Sequence, residues 1–131
     1  MTIVVGYVPT PEGEAALTAA VAEAVRREQP LHVLNTARGD SLVDERFADE
    51  RDLAGIRSLL NAVGVVFEIQ QLVRGNEAAE EIVEAADRLH ASLVVIGIRR
   101  RSPTGKLLTG SQAQRILLDA NCPVLAVKAA H

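Results

Sequence analysis

Hydrophobic positions in this chain fall into short unbroken runs, separated by longer segments in which they recur at helical spacing. Ile3 to Val8 is the first run, closed by Pro9, and reads as a buried strand. Thr10 then stands as an N-cap, with Pro11 at the first helical position and Glu12 and Glu14 in the first turn. Leu17, Ala20, Val21, Ala24 and Val25 form the apolar stripe of that helix, and Pro30 marks its far side. Leu31 to Thr36 is a second strand. Arg38 to Asp52 is strongly charged and without apolar period, so it reads as a loop. It runs into a helix carrying Leu53, Ile56, Leu60 and Val63 and stopped by Gly64.

Val65 to Val73 alternates and gives a third strand. Gly75-Asn76 reads as a turn and cap before a helix lined by Ala79, Ile82, Val83, Ala86 and Leu89. Ser92 to Gly97 is the cleanest buried strand. After a basic loop, a fourth helix from Ser111 to Ala120 turns Ile116 and Leu117 inward. Pro123 to Lys128 is the last strand. Strands alternating with helices predict an α/β fold, an open five-stranded parallel sheet with helices on both faces. No linker, tract or repeat divides it, so residues 1–131 are expected to form a single domain.

Composition narrows the function. Aromatics are only 2% of the 131 residues, and the net charge is −3, which argues against a nucleic-acid partner. The single cysteine, Cys122, fits a reducing compartment, and its place before Pro123 at a strand entry suits an inert buried thiol. No run approaches the ~18 apolar residues of a membrane span. A soluble, cytoplasmic protein with no membrane partner is expected.

Open parallel sheets bind ligands beyond the strands' carboxyl ends, where the strand order reverses. The two least ordinary stretches fall in such loops. One is Pro9-Thr10-Pro11-Glu12-Gly13 after strand one. The other, Gly97 to Ser111 after strand four, holds Arg99, Arg100, Arg101 and Lys106. Gly97 permits close approach to the backbone, and Gly110-Ser111 opens a helix whose free amides favour an anion. Two readings stay open on chemistry alone: a phosphate site, or a plain N-cap beside solvated arginines. Arg100 to Leu107 is not a P-loop, because Arg100 stands where the first glycine belongs and Leu107 where the magnesium-binding hydroxyl belongs. No nucleophile has an adjacent base. His32, His90 and His131 are scattered without metal-ligand spacing, and Arg115 and Asp119 are spaced to pair along the helix.

Gly97-x2-Arg100-x9-Gly110-Ser111, followed by Gln112-Ala-Gln-Arg115-Ile-Leu and Cys122-Pro123-Val124, resembles the universal stress protein family's G-x2-G-x9-G-[S/T] motif and its Cys-Pro-Val strand. Gly75-Asn-Glu-Ala extends the likeness. The resemblance implies a Rossmann-like, adenine nucleotide alpha hydrolase-like sheet, with strand order 3-2-1-4-5 expected. It also implies a homodimer through the last strand, Val124 to Lys128, and in one branch a bound adenine nucleotide, ATP or AMP with Mg. Carried over, Gly97, Gly110, Ser111 and the amide of Gln112 would hold phosphates, and Ile96 would lie near the sugar. Two departures stand against nucleotide binding. The acid that grips the nucleoside after strand one is replaced by Pro9, with Thr10 as the remaining polar substitute. The middle motif glycine is Arg100, which either covers the phosphate as a planar donor or blocks its path. Three functions compete: a nucleotide-responsive stress regulator, a ligand-free dimeric interaction module, and, third, a slow nucleotide hydrolase.

Overall fold

The computed structural model describes residues 1–37, 48–73, 77–98 and 110–129. Its elements are β1 (Thr2–Gly6), α1 (Pro11–Arg27), β2 (Leu31–Ala37), α2 (Glu50–Val63), β3 (Phe67–Val73), α3 (Ala78–Arg88), β4 (Ala91–Ile98), α4 (Gly110–Asp119) and β5 (Val124–Lys128). The strands form one sheet in the order β3-β2-β1-β4-β5, every pairing parallel, as expected. β1 therefore lies between β2 and β4, and the order reverses there.

Alternation along the central strands fills both faces. Ile3, Val5, Leu31, Val33, Leu93 and Val95 pack with Leu17, Ala20, Ala24, Ile56 and Leu60 from α1 and α2. Val4, Leu34, Val94 and Ile96 pack with Ala79, Ile82, Ala85, Ala86, Ala113 and Ile116 from α3 and α4. Small helix side chains let the layers approach closely, which is how a core forms here with few aromatics.

Several boundaries differ from the sequence reading. β1 ends at Gly6 rather than Val8: the Tyr7 amide makes the last bond to β2, at the Leu34 carbonyl 2.9 Å away, and the chain then turns, with the Thr10 amide donating back to the Val8 carbonyl at 2.8 Å. α2 begins three residues earlier than its apolar period, at Glu50. Asp49 and Asp52 each accept the other's backbone N–H, at 2.8 and 2.9 Å, a reciprocal cap that charged residues build without any apolar signal. Gly64 ends this helix at φ 84°, as expected. The turn expected at Gly75-Asn76 lies outside the described residues, and Glu77 occupies the cap position of α3. Val25, Val63 and Leu117, expected inward, are exposed, since each sits at the margin of its stripe. Arg115 reaches across to Glu80 at 3.4 Å instead of pairing with Asp119.

Two buried polar groups knit the sheet. Asn35, with no exposed surface, donates to the Tyr7 carbonyl at 2.8 Å and accepts from the Ala48 amide at 2.9 Å and from Gln71 at 3.0 Å. It thereby ties the ends of β1, β2 and β3 to the chain entering α2. His32 bonds Gln70 at 2.9 Å, the structural role its place on a strand suggests.

Candidate functional site

The carboxyl ends of β1, β2 and β4 surround a cleft of about 160 Å³ at the reversal of strand order. Its floor and walls are Gly6, Tyr7 and Val8 from the end of β1, Leu34 and Thr36 from β2, and Ile96 and Gly97 from β4. The first turns of α3 and α4 close it, through Ala78 and Ile82 on one side and Gln112, Ala113 and Ile116 on the other. The lining is mainly apolar, with the Thr36 hydroxyl and the Gln112 amide as its hydrogen-bonding side chains. A larger depression of about 450 Å³, lined by Val25, Val63 and Val66 among others, opens where α1 and α2 end. That end of the sheet offers an anion helix C-termini rather than amides, so it lacks the electrostatics of a phosphate site.

The first turn of α1 is pressed onto this region. The Thr10 hydroxyl accepts from the Gly13 amide at 3.1 Å, confirming the N-cap. A methyl group on Gly13 would lie 1.8 Å from the Val8 carbonyl oxygen. One on Gly97 would lie 2.2 Å from the Glu12 carbonyl oxygen. The glycine at the end of β4 does allow a close approach, and the group that approaches is the backbone of α1. Only the main chain of Gly97 faces the cleft.

The expected site residues are thus distributed unevenly. Ile96, Gly97 and Gln112 meet in the cleft. Gly110 and Ser111 are the first two residues of α4, directly before Gln112. Pro9 and Thr10 continue from the wall residue Val8 but do not line the cleft, and the Thr10 oxygen is engaged by Gly13. Arg100, like Arg99, Arg101 and Lys106, lies outside the described residues. Sequence reasoning missed Gly6, Thr36 and Ala78. The rule that sites collect at strand carboxyl ends, applied to strand two as well as one and four, would have found Thr36.

On the opposite side of β1's end, the buried Tyr7 hydroxyl donates to Glu14 Oε1. Burial, that hydrogen bond and the nearby carboxylates of Glu14, Asp52 and Asp49 push the phenol well above its ordinary value, so it remains a neutral donor. Among the described residues no group of three or more His, Cys, Asp or Glu side chains is placed to hold a metal ion. The cleft lining has no carboxylate, so these residues do not fit a protein-held magnesium. Cys122 is half-buried, and burial followed by the charge of Asp87 raises its thiol pKa.

A parallel sheet wound on both faces, with a cleft at the reversal of strand order, defines a Rossmann-like α/β domain. The chain matches the universal stress protein family over residues 1–128 and belongs to that family. It is 50% identical to a universal stress protein of Mycolicibacterium smegmatis, with 96% of each chain covered. Among solved structures, a universal stress protein from Archaeoglobus fulgidus superposes with a TM-score of 0.82 at 37% identity, covering 98% of both chains. A second, the universal stress protein from Archaeoglobus fulgidus in complex with dAMP, gives a TM-score of 0.72 at 31% identity over 98% of both chains.

Proposed function

We propose that this universal stress protein binds an adenine nucleotide in the cleft between β1 and β4, as a cytoplasmic, dimeric regulatory module. The observation that carries this reading is the convergence of the α3 and α4 N-termini on one apolar cleft at the switch point. Apolar walls suit a flat base, and helix amides at the mouth suit phosphates. The cleft is smaller than the roughly 300–1,000 Å³ of sites that enclose a whole ligand, so the phosphates would lie outside it, over Gly110, Ser111 and the Gln112 amide. The complex of the relative with dAMP supports a nucleotide as the ligand class. Magnesium would arrive on ATP, held by the phosphates.

Calorimetric titration of nucleotide-stripped protein with ATP and magnesium, and with AMP, tests this. Micromolar binding, lost in Gly110→Val, is expected. No heat and no thermal shift at millimolar nucleotide would contradict it. That result would favour the second reading, a ligand-free dimer acting through its surface. Pro9 in place of an acid motivates that alternative, as does β5 at a sheet edge with Leu125 exposed.

A further inference from the structure

We infer that Gln112 is a positioning residue for the phosphate end of the cleft, latching the first turn of α4 to the first turn of α3. This rests on the nucleotide reading above.

The N-cap of α3, Glu77, makes no capping bond with its own side chain. A helix start of this kind leaves backbone amides without intrahelical partners. The Ala79 amide donates instead to Gln112 Oε1, 2.9 Å away. The other arm of the same side chain, Gln112 Nε2, donates to Glu77 Oε2. One planar amide is therefore fixed at both ends on α3 while its own backbone lies in the first turn of α4, two residues after Gly110. Those bonds span 33 and 35 residues of sequence, so they join elements that local structure does not. Arg115 and Glu80, one turn further along, add an exposed and weaker tie at 3.4 Å.

The consequence is geometric. The amides that would receive phosphate belong to the residues immediately around Gln112, and hydrogen bonds tolerate only a few tenths of an ångström. With the latch closed, α4 cannot rotate or slide against α3 without breaking two bonds. A methionine at position 112 would keep the bulk and lose both of them. The latch also sets charge. The Glu77 carboxylate that the latch holds stands beside the first turn of α4, a negative charge near the place of the anion.

Three measurements separate this role from simple capping of α3. Hydrogen exchange should quicken in the first turns of both helices in Gln112→Met. The same variant should bind ATP about tenfold more weakly, the scale on which lost supporting hydrogen bonds act on a bound ligand. Adenosine, followed by ligand-observed NMR, should keep its affinity, because the cleft walls remain. Glu77→Gln retains an acceptor for Nε2 and removes a negative charge, so its ATP affinity should equal or exceed that of the wild type. Unchanged ATP affinity in Gln112→Met would overturn the proposal, as would equal losses for ATP and adenosine. If the wild-type protein binds neither ligand, the nucleotide reading fails and this one with it. That outcome is distinct from a wild type that binds and a variant that binds equally well.

Discussion

Replacing Gly97 with alanine separates two reasons for a glycine at the end of β4. If its purpose were access for a phosphate, the variant would fold normally and lose ligand. The geometry gives another answer. The new Cβ would stand 2.2 Å from the Glu12 carbonyl oxygen and 2.6 Å from its carbonyl carbon, both backbone atoms that cannot rotate aside. Ordinary contact distances require β4 and α1 to part by about 1 Å. The first turn of α1 cannot lift freely, because Gly13 lies beneath the Val8 carbonyl and Thr10 caps the helix. Overpacking of a tight interior costs about 1–3 kcal/mol, and a clash of backbone with backbone belongs at the upper end. For a domain of this size, about 3 kcal/mol corresponds to a fall in Tm of roughly 10–15 °C. Thermal unfolding followed by circular dichroism, with urea titration as a check on the slope, would measure it. A Gly97→Ala protein melting within about 2 °C of the wild type would refute the packing argument.

Other outcomes follow from the same structure. Asn35→Leu strands the Tyr7 carbonyl and the buried Ala48 amide, and should lower stability in urea by at least about 2 kcal/mol; a change under about 0.5 kcal/mol would count against the network. Asp49 is held below its ordinary value chiefly by the Asp52 amide, so its cap is fully present above about pH 5. As pH falls through that lowered value the stabilisation is lost, and protection of the Asp52 amide, relative to its free-chain exchange rate at each pH, should fall there. A protection factor that stays constant from about pH 5 to about pH 2 would contradict the cap. Ala126→Pro removes an outward-facing backbone donor from the edge strand β5, whose Leu125 amide faces β4, and light scattering should report a folded monomer if last strands pair; an undiminished dimer mass would move the interface elsewhere. The raised Cys122 thiol should react with a disulfide reagent more slowly at pH 7 than a free cysteine, and equal rates would contradict its burial.

The layered fold was legible because its signal is dense. Runs such as Leu93-Val94-Val95-Ile96 fill both faces of a parallel sheet, and Pro11 and Gly64 punctuate helices by backbone geometry that only a few residues satisfy. Where the deciding interaction was polar and reciprocal, periodicity was silent. Asp49 and Asp52 extended α2 into a stretch that reads as a charged loop. The stripe margins at Val25, Val63 and Leu117 depend on how each helix is rotated on the sheet, which spacing alone leaves open by about one residue in each turn.

The site was half legible. Gly97, Ile96 and Gln112 fell in the cleft because the motif spacing and the strand-end rule agree there. The meaning of Gly97 did not follow, since its neighbour Glu12 lies 85 residues away in sequence and only the packed fold brings the two together. Gln112 was noted for its main-chain amide. Its side chain proved to join two helices, a contact that needs α3 and α4 side by side on one face.

Amide chemical-shift mapping during titration with AMP would locate the proposed nucleotide site residue by residue. Binding in the cleft should give saturable shifts at Gly6, Tyr7, Thr36, Gly97 and Gln112, with none at Val25, Val63 or Val66 around the larger depression. Shifts confined to that depression, or none anywhere at millimolar AMP, would contradict it.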